Sequence, residues 1–356
     1  MTQLSQIYLV MLLITTLSGC TTLGYYSQAV SGHLSLMLSS QPVSELLDAP
    51  STPPPLQQKL SVANDAREFA AGRLALPVGD AFSTYAELGR PWVVVNLVAV
   101  PEFSLEAHQW CYPVIGCQSY RGYYELEKAR REQRSFIEKG YDTFIGGVTA
   151  YSTLGWFDDP LHTGFTALSD NRMVSLMFHE LAHRVVYIND DTAFNESFAT
   201  AVELEGLRLW LDQRGDEEGF QRALARLRQR NQTLALVEAA SRQLNALYEQ
   251  QGALPETELR QHKAEIFSNL KDDYQAISTD WDQPGPFGEN PGELNNANLA
   301  LFSQYNQHVP AFRQLLRDNE SDFRAFYRAV ADLSVQPPEV RQQTLARLGQ
   351  RFHEDL

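Results

Sequence analysis

Two histidines four positions apart, His179 and His183, enclose a glutamate in Phe178-His179-Glu180-Leu181-Ala182-His183, and Glu196 follows thirteen residues after His183. On a helix, positions four apart share a face, so both imidazoles can address one metal ion with Glu180 beside them. Imidazole and carboxylate donors suit Zn2+, and three protein ligands leave the fourth tetrahedral position open to water, as a catalytic site requires. The chemistry these residues could do is hydrolysis. Zinc would lower the pKa of its water and polarise a carbonyl, while Glu180 takes the water proton and passes it to a leaving amine.

The surrounding sequence supplies the elements that must position them. Ser169 and Asp170 can cap a helix on which Val174, Phe178, Leu181 and Val185 recur at three- and four-residue steps. Asn189-Asp190-Asp191 breaks that pattern, and Asp191 or Thr192 can cap a second helix carrying Glu196, Ala199, Glu203 and Leu207 on neighbouring turns. So short a turn implies a side-by-side hairpin, which can bring Glu196 to the metal as third ligand. Glu203, about two turns further on, can orient a ligand histidine from behind.

Asn195-Glu196-Ser197-Phe198-Ala199 also reads as Asn-Glu-x-x-Ala after the paired histidines. Together the two motifs resemble the gluzincin metallopeptidases, the thermolysin and aminopeptidase-N group, in which a second helix bears a glutamate ligand. The connection between His183 and Glu196 is shorter than in thermolysin-like enzymes, and Glu203 and Glu205 are the alternative third ligands. Those enzymes also carry an Asp four residues past the ligand Glu, where this chain has Thr200. A closer resemblance rests on Gly24-Tyr25-Tyr26, Trp110-Cys111, Ser119-Tyr120-Arg121-Gly122-Tyr123, Tyr151-Ser152-Thr153-Leu154-Gly155-Trp156-Phe157-Asp158-Asp159-Pro160 and Phe194-Asn195-Glu196. These resemble a family of bacterial lipoproteins catalogued as predicted aminopeptidases, along nearly the whole mature chain. The resemblance implies a peptide substrate, and with it the possibility of single-residue trimming; an endopeptidase with the same metal site and a non-catalytic envelope scaffold are the competing readings. In gluzincins a strand before the metal helix lines the cleft, which here points to 150–154 and to Tyr151 and Ser152 as substrate-binding residues. Tyr151 and Tyr305 are candidates for steadying the oxyanion, and Trp156 either meets substrate or packs in the core.

Residues 7–17 form an apolar run too short to span a bilayer and suited to a signal peptide, ending at Leu17-Ser18-Gly19-Cys20. That ending resembles a bacterial lipobox, with Cys20 as the lipidated anchor, although residues 1–6 lack Lys and Arg; a short buried helix is the alternative. Thr21 after the cysteine implies, by resemblance, outer-membrane sorting with the protein facing the periplasm of a Gram-negative cell. Cys111 and Cys117, six positions apart around Pro113 and Gly116, can close a disulfide in an oxidising compartment. Two free thiols, or a metal site with His108, are the alternatives. A formal charge of −15 excludes nucleic acid as partner, since phosphates would be repelled. The expected partners are a peptide and, through Cys20, a membrane.

With 44% hydrophobic residues in 356, the chain can bury a core without staples. Helices are expected over 25–40 and 60–74, with Pro53-Pro54-Pro55 as a rigid spacer between them. Strands are expected over 92–100, before Tyr124 and over 143–151, with a helix over 125–139 closed by Gly140. Between Gly215 and Gly252 lies a long amphipathic helix or helix pair with its arginines on the wet face, then helices over 256–274 and 295–305 around a Pro- and Gly-rich loop. The expected fold class is α+β, a small mixed sheet next to a zincin-like helical hairpin, followed by a mostly helical C-terminal part. Four segments follow: a signal peptide over 1–19, an anchor with N-terminal helices over 20–90, the metallopeptidase core over 91–214, and the helical part over 215–356.

Overall fold

The computed structural model describes residues 28, 31–112, 116–149, 158–189, 191–288, 291–302 and 308–353. The signal segment, Cys20, Tyr151, Ser152, Trp156 and Tyr305 lie outside the described residues. The architecture is α+β, with small sheets among many helices.

Helix α1 (31–39) precedes β1 (Gln41–Pro42), α2 (Val43–Asp48) and α3 (Pro54–Arg73). The prolines expected as a spacer open α3 instead, with Pro at its first positions. A first-turn N–H has no partner within the helix, so its absence there carries no cost.

Next come β2 (Thr84–Ala86) and β3 (Val94–Pro101), the latter built from the Val-rich run. The chain continues through β4 (Trp110–Tyr112), β5 (Gly116–Gln118), β6 (Arg121–Tyr123), α4 (Leu126–Ile137) and β7 (Tyr141–Val148). β3 lies between β6 and β7, antiparallel to both. Its side chains alternate between two covers. Val95, Leu97 and Ala99 pack with Ala129 and Phe136 of α4, whereas Val98 and Val100 pack with Ala297. Burial on both faces is why the run reads as continuously apolar rather than alternating. β4 and β5 pair antiparallel with Cys111 opposite Cys117, and the two are disulfide-bonded.

β8 (Leu161–His162) pairs in parallel with β2, and β1 completes that second sheet. It leads through α5 (Thr163–Thr166) to α6 (Asp170–Ala182) and α7 (Thr192–Asp212). His162 is 2% exposed and its Nδ1 accepts the Gly164 N–H at 3.1 Å, which caps α5. Burial pushes the His162 imidazole down to about 4, below its ordinary value. The unfolded chain therefore binds more protons between the two values, so stability present above about pH 6.5 is lost as pH falls toward 4, to the extent of about 3 kcal/mol. Thermal unfolding of His162→Asn should accordingly show a weaker pH dependence between 6.5 and 4 than the unaltered protein.

The remainder is helical: α8 (Glu217–Tyr248), one unbroken helix; α9 (Glu256–Ser278); α10 (Asn296–Phe302); α11 (Val309–Asp318); α12 (Phe323–Ser334) and α13 (Pro338–Arg351). The largest core gathers α3, α6, α7, α11, α12 and α13, from Val43 to Leu348, around fully buried Phe178, Phe194, Phe198 and Phe312. The α6–α7 hairpin thus lies within this core, packed by α3 against α6 and by α11 against α7.

Candidate metal centre

His179 rides in the last turn of α6 and His183 is the residue that ends it, so the pair keeps the one-turn spacing that puts both rings on one side. α7 starts at Asp191, whose side chain accepts the Phe194 N–H, and Glu196 follows in its second turn. The hairpin closes these three together: one donor atom from each of His179, His183 and Glu196 lies within 4.8 Å of the others. Nε2 of His179 and Nε2 of His183 are 3.2 Å apart. Glu196 approaches the first at 3.3 Å through Oε2 and the second at 3.6 Å through Oε1. Glu203, two turns along α7, reaches the far side of the His179 ring, with Oε2 3.1 Å from Nδ1. Glu205 turns away: its Oε1 accepts from Arg313 Nε at 2.6 Å, and it is held by Arg208 as well.

The electrostatics follow from that closure. Burial acts to lower the His179 pKa, but the hydrogen bonds and charges of Glu196 and Glu203 prevail and hold it well above the ordinary value. His183, buried and beside His179, is pushed down to about 4 and is a neutral imidazole. Burial would raise Glu196, yet His179 and His183 keep it below the usual carboxylate range. Glu180 behaves oppositely: with its surroundings closed and Glu196, Asp159 and Glu203 adding negative charge, its carboxyl rises to about 7 despite His179.

A tetrahedral zinc ion with bonds of 2.0–2.2 Å sets its donors about 3.3–3.6 Å apart. The two imidazole Nε2 atoms, 3.2 Å apart, sit close to that edge length, Glu196 brings one carboxylate oxygen to 3.3 Å from His179 and the other to 3.6 Å from His183, and the donor set of two imidazoles and a carboxylate is the type zinc takes. The residues fit the ion.

A family model described as "Putative aminopeptidase" matches residues 24–345. The chain belongs to that family. No curated protein and no solved structure matches it. The family is one of peptidases, and the paired histidines, Glu180, Glu196 and Glu203 all fall within the span that defines membership.

Within this family member, three positioning contacts were not read from the sequence. Asn195 forms two hydrogen bonds to Ile188, its Oδ1 accepting from the backbone N at 2.9 Å and its Nδ2 donating to the backbone O at 2.7 Å. This ties the connection between the two helices and sets where Glu196 emerges; the signal was the Asn of Asn-Glu-x-x-Ala, an amide able to donate and accept at once. Gly206 admits the ring before His179: a Cβ there would lie 2.9 Å from Phe178 Cδ2 and 2.7 Å from Leu74 Cδ1. Asp191 joins the start of α7 to α13 through Arg341 at 2.6 Å.

Glu203 is the carboxylate behind the His179 ring, placed to fix its tautomer and orientation. Glu203→Ala should weaken zinc binding about 10- to 100-fold, measured by competition with a chromophoric chelator.

Proposed function

We propose that the chain is a zinc-dependent aminopeptidase that trims peptides in the bacterial cell envelope, anchored by lipid at Cys20. The convergence of His179, His183 and Glu196, one donor atom of each within 4.8 Å of the others, carries the reading, and family membership gives it a peptide bond to cut. When bound, zinc supplies water activation and carbonyl polarisation. Glu203 holds the proton on Nδ1 of His179 and so aims Nε2 at the centre, where the raised His179 would give up its second proton to a bound metal. Neutral His183 and ionised Glu196 present their own lone pairs without first losing a proton. Glu180, with a carboxyl near 7, is matched to take a proton from water and return it to the leaving amine close to neutral pH. The negative charge gathered by Glu180, Glu196, Glu203 and Asp159 favours a substrate that brings an ammonium group, as an aminopeptidase substrate does.

The test begins with metal. Protein starting after Cys20 should retain about one zinc per chain after dialysis, and His183→Ala should lose it. Metal-loaded protein should then release single residues from the amino end of a peptide; internal cuts would replace the exopeptidase reading with an endopeptidase, and absence of zinc from both proteins would remove the enzyme reading.

A further inference from the structure

A cavity of about 460 Å³ lies between α1, the connection from β2 to β3 and the residues that lead from β6 into α4, and it shares no residue with the metal centre. Specific contacts hold its α1 wall in place. The Gln28 amide, just ahead of α1, donates from Nε2 to Gly122 O at 3.0 Å and accepts the Tyr124 N–H at 3.3 Å, which ties the approach to the helix to β6. Gly32 lets α1 lie against the Tyr124 ring, where a Cβ would collide with it. Ser31, Ser35 and Ser39 then recur at steps of four and line the cavity from one face of the helix. Leu36, Leu88 and Val93 supply its apolar part.

Arg90 and Glu87 bring opposite charges to this cavity without pairing with each other. Arg90 is half-buried, its guanidinium over the Trp92 ring at 4.5 Å and its Nη2 donating to the backbone oxygens of Val93 and Tyr124 at 3.4 and 3.3 Å. A ring and two carbonyls fix the group but leave its charge uncancelled, and among the described residues no carboxylate forms an ion pair with it. Its Nε is enclosed and has no hydrogen-bond partner. An enclosed donor in that condition is rare in a folded protein, and an acceptor on a ligand accounts for it. Glu87 stands at the exposed rim, where Oε1 accepts from Thr163 Oγ1 at 2.8 Å and from the Gly89 N–H at 3.3 Å, and Oε2 accepts from the Tyr85 hydroxyl at 2.9 Å. Those hydrogen bonds, that of Thr163 above all, hold its carboxyl below the usual range. They use three of about four lone-pair positions and leave one on Oε2.

We propose that this cavity binds a free α-amino acid with an apolar side chain, its carboxylate on Arg90, its ammonium at Glu87 and its side chain against Leu36, Leu88 and Val93. The planar donors of a guanidinium match a carboxylate, and an ammonium can use the remaining acceptor on Glu87. A zwitterion answers both charges at once, which a simple anion or cation does not. Cavities that take small molecules run from about 300 to 1,000 Å³, and this one falls toward the lower end, as a ligand of amino-acid size requires. The inference stands on this cavity alone and not on the peptidase reading, although single-residue trimming would release such a ligand.

Calorimetric titration tests it, with leucine, leucinamide and N-acetylleucine as probes and His183→Ala protein as the host, so that the metal centre is disabled. Leucine should still bind to one site per chain. Leucinamide, which lacks the carboxylate, and N-acetylleucine, which lacks the ammonium, should each bind about 10- to 100-fold more weakly, as hydrogen bonds to charged groups are worth. Arg90→Gln should weaken leucine by a similar factor, and Arg90→Lys should keep part of the affinity. Because Arg90 also braces two carbonyls, Ser35→Phe is the second variant: it adds bulk to the cavity from an exposed position on α1 and leaves Arg90 in place. It should abolish leucine binding at an unchanged unfolding midpoint. No leucine binding in the His183→Ala protein, equal affinity for leucine and leucinamide, or undiminished binding in both Arg90→Gln and Ser35→Phe would overturn the proposal.

Discussion

Glu180→Gln should cut turnover by about 10²- to 10⁴-fold while zinc content stays at the wild-type level. The two halves of that result come from different atoms. Glu180 is adjacent to His179 in α6 and so points about 100° away from it around the helix, and it is not among the three residues whose donors converge. Replacing its carboxylate by an amide of the same shape leaves His179, His183 and Glu196 untouched and removes only the proton acceptor. The carboxyl near 7 makes the loss large, because a base matched to the working pH contributes most to proton transfer. Single-turnover assays beside elemental analysis check it. Wild-type rates in the variant would show that the proton goes elsewhere, and lost zinc would show that Glu180 is a ligand.

Arg313→Ala should destabilise the protein by about 3–5 kcal/mol, because it leaves a buried carboxylate without its main partner. Arg313 and Glu205 are both nearly enclosed, at 3% and 9% side-chain exposure, and the bond between them is 2.6 Å. Arg208 also reaches Glu205, at 2.8 Å, but from the exposed side, so the loss falls toward the lower end of that range. Urea unfolding measures it, and the paired change Glu205→Leu with Arg313→Met should recover most of the stability, since an apolar pair of similar volume carries no desolvation cost. Because Glu205 sits on the same helix as Glu196 and Glu203, the single variant should also bind zinc less tightly.

Much of this was legible in the chain because spacing alone encodes it. A four-residue step fixes two rings on one helix face, and a capped second helix after a break brings Glu203 behind the first ring. β3 was legible as a buried strand because its β-branched run leaves no wet face, although the residues covering each side lie far away in sequence. The alternatives for the third ligand were not separable from sequence, since Glu196, Glu203 and Glu205 differ in where their partners are. Only the fold places Arg313 against Glu205 and so takes Glu205 away from the histidines. The prolines at the start of α3 misled because the same ring that breaks a helix interior is at home in its first turn.

The salt bridge from Asp191 to Arg341 spans 150 residues and fastens the cap of the helix that carries Glu196 to the last helix of the core. Contacts this distant in sequence form late, after the entropy of closing a long loop has been met. A chain emerging from the ribosome therefore carries both histidines and Glu196 long before α13 exists to brace them. The brace on the start of α7 is therefore completed only after α13 has been made.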